Sequence, residues 1–249
     1  MMAHEDLGLD QAAHDPGCVT RHISGYVENN VCSHRWQAAK RALKEWGTNY
    51  PDEKPTSLAE STLKTYMSQG KICKSSGNYK PFATQNHPWR NEAHHIIPRS
   101  TLARSIEDIS KAAEPNADAM FEAAIVFLLE EKYNLNDEKN MIMLPLEHKV
   151  AVTLGLPEHL KGGAWDHPQY SAMVKSRLKL KLDPVYKSLA DATRKRKHPE
   201  KFTKPAVRKI LETISDNVYR WIIAKTKAVR QGQPTSAACL DSITPLTYK

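Results

Sequence analysis

The sequence is poor in the features that mark secreted, membrane and zinc-ribbon proteins. The longest apolar stretch, residues 119–129, is interrupted by Glu122 and is shorter than the roughly 20 residues that span a membrane. The first residues show neither the basic nor the apolar region of a signal peptide, so we expect synthesis in the cytoplasm. No C-x-x-C pair occurs, which predicts free thiols in a reducing compartment. The four cysteines are Cys18, Cys32, Cys73 and Cys239.

Charge of both signs is present, but it is unevenly distributed. The net charge is +8, and residues 171–230 carry 17 Lys and Arg against 5 Asp and Glu. Residues 100–170 carry 6 Lys and Arg against 12 Asp and Glu. The basic region fits a polyanion such as DNA, and solvated helix faces explain it equally well. The candidate phosphate contacts are Lys175, Arg177, Arg194, Lys195, Arg196 and Lys197.

Helical periodicity and capping residues predict a mainly α chain. Ser33 is expected to cap the first helix, and Asp166 the helix that follows His167. Asp183-Pro184 is expected to end that helix and start another, because proline is tolerated only in the first turn. The helices are predicted over residues 34–46, 57–70, 100–112, 116–133, 147–154 and 166–182, then from 183 and from 205.

Two short apolar segments predict the only strands. One begins at the pair His94-His95 and ends at Pro98, and the other runs from Asn140 to Pro145. Neighbouring side chains on a strand point to opposite faces. One histidine can therefore bind a metal while the other meets substrate. Two strands followed by the helix at His167 predict a ββα-metal arrangement.

The stretch from about Trp89 to Leu182 resembles the HNH/ENDO VII nuclease superfamily, and within it the AHH and GHH toxin nucleases. Four motifs occur in the family's order. They are Ala93-His94-His95-Ile96-Ile97-Pro98, Asn134-Leu135-Asn136-Asp137 leading to Asn140-Met141-Ile142-Met143-Leu144-Pro145, Leu154-Gly155-Leu156-Pro157-Glu158-His159, and His167-Pro168-Gln169-Tyr170 with Val174 and Arg177-Leu178. The resemblance implies a small His-Me finger core in an α+β chain.

The resemblance also implies a role for each site residue. His95 would be the general base, Asn140 would orient it through a hydrogen bond, and His94 would be the first metal ligand. His167 would be a ligand at a helix N-terminus, where N–H groups and the helix dipole favour phosphate.

The second C-terminal ligand departs from the family pattern. The family has H-x-x-x-H, but His159 and His167 are eight residues apart, which a loop insertion at Gly162-Gly163 would explain. His148 is a competing ligand, and we rank His167 first, His159 second and His148 third.

Four regions are expected along the chain. Residues 1–80 would be a mostly helical region of unknown role, and residues 81–182 the nuclease domain. Residues 183–231 would be basic helices packed on the nuclease core, and residues 232–249 a flexible tail.

The resemblance implies a metal-dependent, largely non-specific DNA endonuclease with one divalent ion, Mg²⁺, Zn²⁺ or Ni²⁺. It would be an interbacterial toxin that a type VI-like, contact-dependent system delivers into the target-cell cytoplasm. A cognate immunity protein, acidic to cover a basic surface, and a secretion carrier or adaptor would be its partners. The alternatives are a housekeeping or mobile-element nuclease, an RNase, and a non-catalytic basic DNA-binding protein with a structural metal site.

Overall fold

In this computed structural model the described part of the chain is mostly helical, with one two-stranded antiparallel sheet. It comprises residues 18–19, 23–45, 82–86, 89–111, 117–148, 150–151, 156–159, 167–194, 207–230 and 239–241. The elements are α1 (His34–Lys44), β1 (Asn91–His95), α2 (Arg99–Lys111), α3 (Ala117–Glu130), a 3₁₀ turn (Glu138–Asn140), β2 (Met141–Pro145), α4 (Pro168–Arg194) and α5 (Val207–Arg230). The coarse α+β class is confirmed. The helix predicted over 57–70 lies outside the described residues.

None of the described helices combines the length and apolar character that crossing a membrane requires.

The paired histidines end β1 rather than begin it, so the predicted position of this strand was wrong. β1 pairs with β2 so that His94 faces Ile142 and His95 faces Met141. Just beyond the strand, the backbone N–H of Ile96 donates to the carbonyl of Asn140 at 2.8 Å. The backbone N–H of Ile97 donates to the side-chain Oδ1 of the same residue, also at 2.8 Å. Asn140 therefore holds the chain that leaves β1 through both its backbone and its side chain.

Helix α1 packs on both strands and begins as its sequence predicts. The Oγ of Ser33 caps it by accepting from the backbone N–H of Trp36. The buried guanidinium of Arg35 donates to the Oδ1 of Asn91 at 2.9 and 3.1 Å. Arg41 donates to backbone carbonyls of the 3₁₀ turn and β2. Hydrogen bonds to polar groups of the sheet region compensate the burial of both guanidinium groups. Helix α1 and the sheet therefore share one core.

Helix α4 runs without a break through Pro184, which corrects the expected end near Leu182. Leu178, Leu182 and Tyr186 recur every four residues along one face and are at most 1% exposed. A proline in a helix interior costs about 3 kcal/mol, whereas burying each such large side chain contributes roughly 1.5–3 kcal/mol. The apolar face continues past Pro184, and its burial keeps the helix in one piece.

Three residues of the predicted flexible tail pack against other parts of the described structure. Leu240 is fully buried and Cys239 is 8% exposed. The backbone N–H of Leu240 donates to the carbonyl of Glu158 at 3.0 Å. The side chain of Asp241 accepts from the backbone N–H of Tyr170 at 2.9 Å. Residues 239–241 therefore lie against the segments that carry His159 and His167.

Candidate metal centre

Three histidines from distant parts of the sequence converge on one point. The ring nitrogens that His94, His159 and His167 can offer lie within 4.8 Å of one another. The ring centroid of His94 lies 4.9 Å from that of His159 and 5.2 Å from that of His167. The centroids of His159 and His167 are 4.8 Å apart. These are the three residues predicted as ligands, and their proximity is confirmed. The unusual spacing between His159 and His167 does not prevent the convergence.

Each histidine of the cluster is held by a different backbone element. His94 belongs to β1 and is paired with Ile142 in the sheet. The backbone N–H of His159 donates to the carbonyl of Pro145 at 2.8 Å, which attaches its segment to the end of β2. The carbonyl of His167 accepts from Ser171 in the first turn of α4. One strand, one segment bonded to the end of the other strand, and the residue before a helix thus place one histidine each.

The spacing of the rings suits ligands of a single ion. Nδ1 of His94 lies 3.0 Å from Nε2 of His159, a hydrogen-bond distance. Two nitrogens about 2.1 Å from one ion, at angles of roughly 90–109°, are also about 3.0–3.4 Å apart. All three residues offer an imidazole nitrogen, a common ligand of divalent transition metals. The donor set and its spacing therefore fit a divalent cation.

The electrostatics favour the form of His94 that binds metals. Burial, followed by repulsion from His159 and His167, holds the pKa of His94 well below its usual range. The ring is therefore neutral at physiological pH, and a neutral imidazole is the metal-binding form.

Tyr170 forms one wall of the cluster. Its ring centroid lies 5.6 Å from that of His94, and its hydroxyl donates to the carbonyl of Ile96 at 2.6 Å. The side chain is fully buried, so it packs in the core. The backbone N–H of Tyr170 donates to Asp241. This donor at the start of α4 is therefore not available to a phosphate, in contrast to the expectation from the sequence.

His95 points to the other face of β1, away from the cluster of His94. Its Nε2 lies 2.9 Å from Oδ1 of Asn136, and its ring packs 4.5 Å from that of His34 on α1. Asn136 is fully buried, and its Nδ2 faces the Sγ of Cys18 at 3.9 Å. The amide that orients His95 is therefore Asn136.

The expected hydrogen bond between Asn140 and His95 is absent from the described residues, and this prediction was wrong. The Oδ1 of Asn140 accepts from the backbone of Ile97 at 2.8 Å and from the Oγ of Ser215 at 2.7 Å. Its Nδ2 donates to the carbonyl of Leu135 at 2.9 Å. Asn140 ends the 3₁₀ turn, where its amide satisfies backbone groups, and it fixes the chain leaving β1. Asn136, in the quoted motif four residues earlier, was the overlooked polar residue.

The remaining predicted site residues lie away from the cluster. His148 is exposed, and its Nδ1 lies 3.3 Å from the carboxylate of Glu158, so it is not one of the clustered ligands. Lys175 pairs with Asp108 at 2.6 Å on the surface. Arg177 is partly buried and acts electrostatically on Tyr170. The side chain of Arg194 and the residues Lys195, Arg196 and Lys197 lie outside the described residues.

No family model matches this chain, and neither the curated proteins nor the solved structures include a similar one. The functional interpretation therefore depends on the geometry of the three histidines, on the contacts of His95 and on the motifs of the sequence.

Proposed function

We propose that this chain is a metal-dependent, largely non-specific DNA endonuclease of the HNH/ENDO VII superfamily, of the AHH type. Its ββα-metal core would consist of β1, β2 and the start of α4. One observation carries the proposal: His94, His159 and His167 cluster at these elements, and His95 adjoins one of them on β1. Three protein ligands leave open positions on an ion, as catalytic sites require and closed structural sites do not.

The ion would be held by His94, His159 and His167. When bound, it would supply positive charge to the developing phosphorane and the leaving oxygen. An all-imidazole set suits Zn²⁺ or Ni²⁺, while Mg²⁺ usually takes oxygen ligands and water. We therefore expect Zn²⁺ or Ni²⁺ to bind more tightly, and Mg²⁺ to be a candidate for turnover.

His95 would act as the general base that accepts a proton from the attacking water. The Oδ1 of Asn136 can only accept a hydrogen bond, so the contact at 2.9 Å would place a ring hydrogen on Nε2 of His95. A neutral ring would then carry its lone pair on Nδ1, the nitrogen that would accept the proton. His95 is 7% exposed, which suits a base that serves one bound water. Asn136 would be a positioning residue that fixes the tautomer and orientation.

The charge distribution and the resemblance suggest the substrate and the biological setting. The 17 basic against 5 acidic residues over 171–230 favour a polyanion. By resemblance, the protein would be an interbacterial toxin that a contact-dependent system delivers with a carrier or adaptor protein. An acidic immunity protein would neutralise it. Growth arrest on cytoplasmic expression, relieved by co-expression of such an acidic protein, would distinguish this role from a housekeeping or mobile-element nuclease.

Plasmid cleavage tests the enzymatic proposal. Purified full-length protein would be incubated with supercoiled plasmid in Mg²⁺, Zn²⁺ or Ni²⁺, with and without EDTA, and with RNA in parallel. We expect nicking and linearisation that EDTA and His95→Ala abolish, while the matched surface variant His148→Ala remains active. Equal cleavage by wild type and His95→Ala would remove the base role, and cleavage of RNA alone would change the substrate.

The burial of the histidines favours one alternative, a non-catalytic DNA-binding protein with a structural metal site. His94, His95 and His159 are largely shielded from solvent, as the ligands of a structural metal would be. In that case the protein would be a basic DNA-binding protein without catalysis. Tight DNA binding with no cleavage in any divalent metal would support this alternative over the nuclease.

A further inference from the structure

The segment Cys239–Asp241, which we name the C-terminal clasp, contacts both segments that carry the last two histidines. Cys239 forms a parallel bridge with Glu158, and the backbone N–H of Leu240 donates to the carbonyl of Glu158 at 3.0 Å. The carboxylate of Asp241 accepts from the backbone N–H of Tyr170 at 2.9 Å. Glu158 immediately precedes one histidine, and Tyr170 follows the other by three residues.

The contacts of the clasp with Glu158 and with Tyr170 both hold the backbone of those residues in place. Leu240 is fully buried, so its side chain adds apolar burial to the bridge at Glu158. Asp241 places a negative charge in the first turn of α4, where the helix dipole and the N–H groups attract it. The carboxylate is not one of the clustered metal-binding groups. Its effect on the cluster is therefore indirect and passes through the backbone of α4.

We propose that the clasp is a positioning element of the metal centre, and this inference rests on the proposed metal-binding function. It ties the segment of His159 to the start of α4, beside His167, and so fixes the distance between these two rings. His94 needs no such tie because the sheet holds it. Groups that orient metal ligands without touching the ion govern affinity in other metal sites.

Metal affinity in full-length variants tests the clasp. Asp241→Ala removes the bond to the helix and Leu240→Ala removes the buried side chain, whereas Asp241→Asn keeps an oxygen acceptor. The matched controls are Asp118→Ala, an acid in the first turn of α3, and Leu128→Ala, a fully buried leucine of the same helix. That helix carries none of the three histidines.

The dissociation constant for Zn²⁺ would be measured by competition with a chromophoric chelator, below the unfolding temperature of every variant. We expect Asp241→Ala and Leu240→Ala to bind Zn²⁺ about tenfold or more weakly, Asp241→Asn to recover part of the loss, and both controls to match wild type. Wild-type affinity in both clasp variants would overturn the proposal. An equal loss in Leu128→Ala would overturn it as well, since any core defect would then suffice.

Hydrogen exchange on the metal-free protein separates failure of the clasp from failure of the metal centre. We expect Asp241→Ala and Leu240→Ala to speed exchange at the amides of Tyr170 and His159, while the control variants do not. If wild type binds no Zn²⁺ but exchange still rises at these amides, the tie stands and the metal centre falls. Unchanged exchange at both amides would overturn the clasp whatever the metal does.

Discussion

The two faces of β1 place adjacent histidines in different chemical environments. On one face His94 meets the imidazoles of His159 and His167, and burial together with their repulsion lowers its pKa. On the other face His95 meets the neutral amide of Asn136 at 2.9 Å. Three clustered imidazoles favour a cation between them, whereas the amide oxygen of Asn136 favours a ring hydrogen on Nε2 of His95. The two-residue period of a strand thus separates the proposed metal ligand from the proposed general base.

The largest expected effect is on the face of β1 that carries His94. His94→Ala removes one of the three proposed ligands. Because groups that merely orient ligands already change affinity by about 10–100-fold, we expect a loss of Zn²⁺ affinity beyond about 100-fold. Plasmid cleavage should fall with it. Calorimetric titration of Zn²⁺ measures the change, and His148→Ala, a histidine outside the cluster, is the matched control. Undiminished Zn²⁺ binding by His94→Ala would show that the metal lies elsewhere.

A smaller effect is expected on the opposite face of β1, where His95 meets Asn136, and only on the rate of DNA cleavage. Asn136→Ala frees the ring of His95 to rotate, and because a positioned base contributes typically 10²–10⁴-fold, we expect kcat to fall about 10–100-fold. The dissociation constant for Zn²⁺ should remain that of wild type, because Asn136 bonds to His95, whose side chain lies on the opposite face of β1 from that of His94. Steady-state cleavage rates and metal titration on one preparation check both. Parallel losses in the two measurements would mean that the faces are not separable.

The smallest effect concerns stability without metal. The pKa of His94 is lowered in the folded protein, so below the usual pKa near 6.5 the unfolded chain binds a proton that the folded chain does not. The contribution of His94 to the free energy of unfolding is therefore fully present above about pH 6.5. It decreases as the pH falls, by at most about 1.4 kcal/mol per pH unit. Urea unfolding of metal-free wild type and His94→Gln between pH 7 and pH 5 measures the slope. A slope that is the same in both proteins would contradict the assignment to His94.

The sequence predicted the convergence of His94, His159 and His167 but not the contact of His95 with Asn136, for a physical reason. Imidazoles at His94, His159 and His167 match one chemistry, and their convergence needs only that two strands and a helix start meet. Asn136 and Asn140 are both amides within one short motif, and sequence does not distinguish them. The 3₁₀ turn decides between them, because it directs Asn140 to backbone groups of Ile97 and Leu135.

The other differences from expectation arise from contacts between residues distant in sequence. Local rules predict a break at Pro184, but the core that buries Leu182 and Tyr186 on either side keeps α4 continuous. Local composition predicts a mobile tail, but Leu240 and Asp241 find partners at Glu158 and Tyr170. Propensity describes a segment in isolation, and such partners become visible only in the fold.

Anomalous diffraction from crystals grown with Zn²⁺ or Ni²⁺ would locate a bound ion directly. The proposed metal centre predicts one strong peak, about 2.1 Å from a ring nitrogen of each of His94, His159 and His167, with His95 outside the coordination sphere. A peak coordinated by His95, a peak between His148 and Glu158 with none at the cluster, or no peak at the cluster at saturating metal would contradict it.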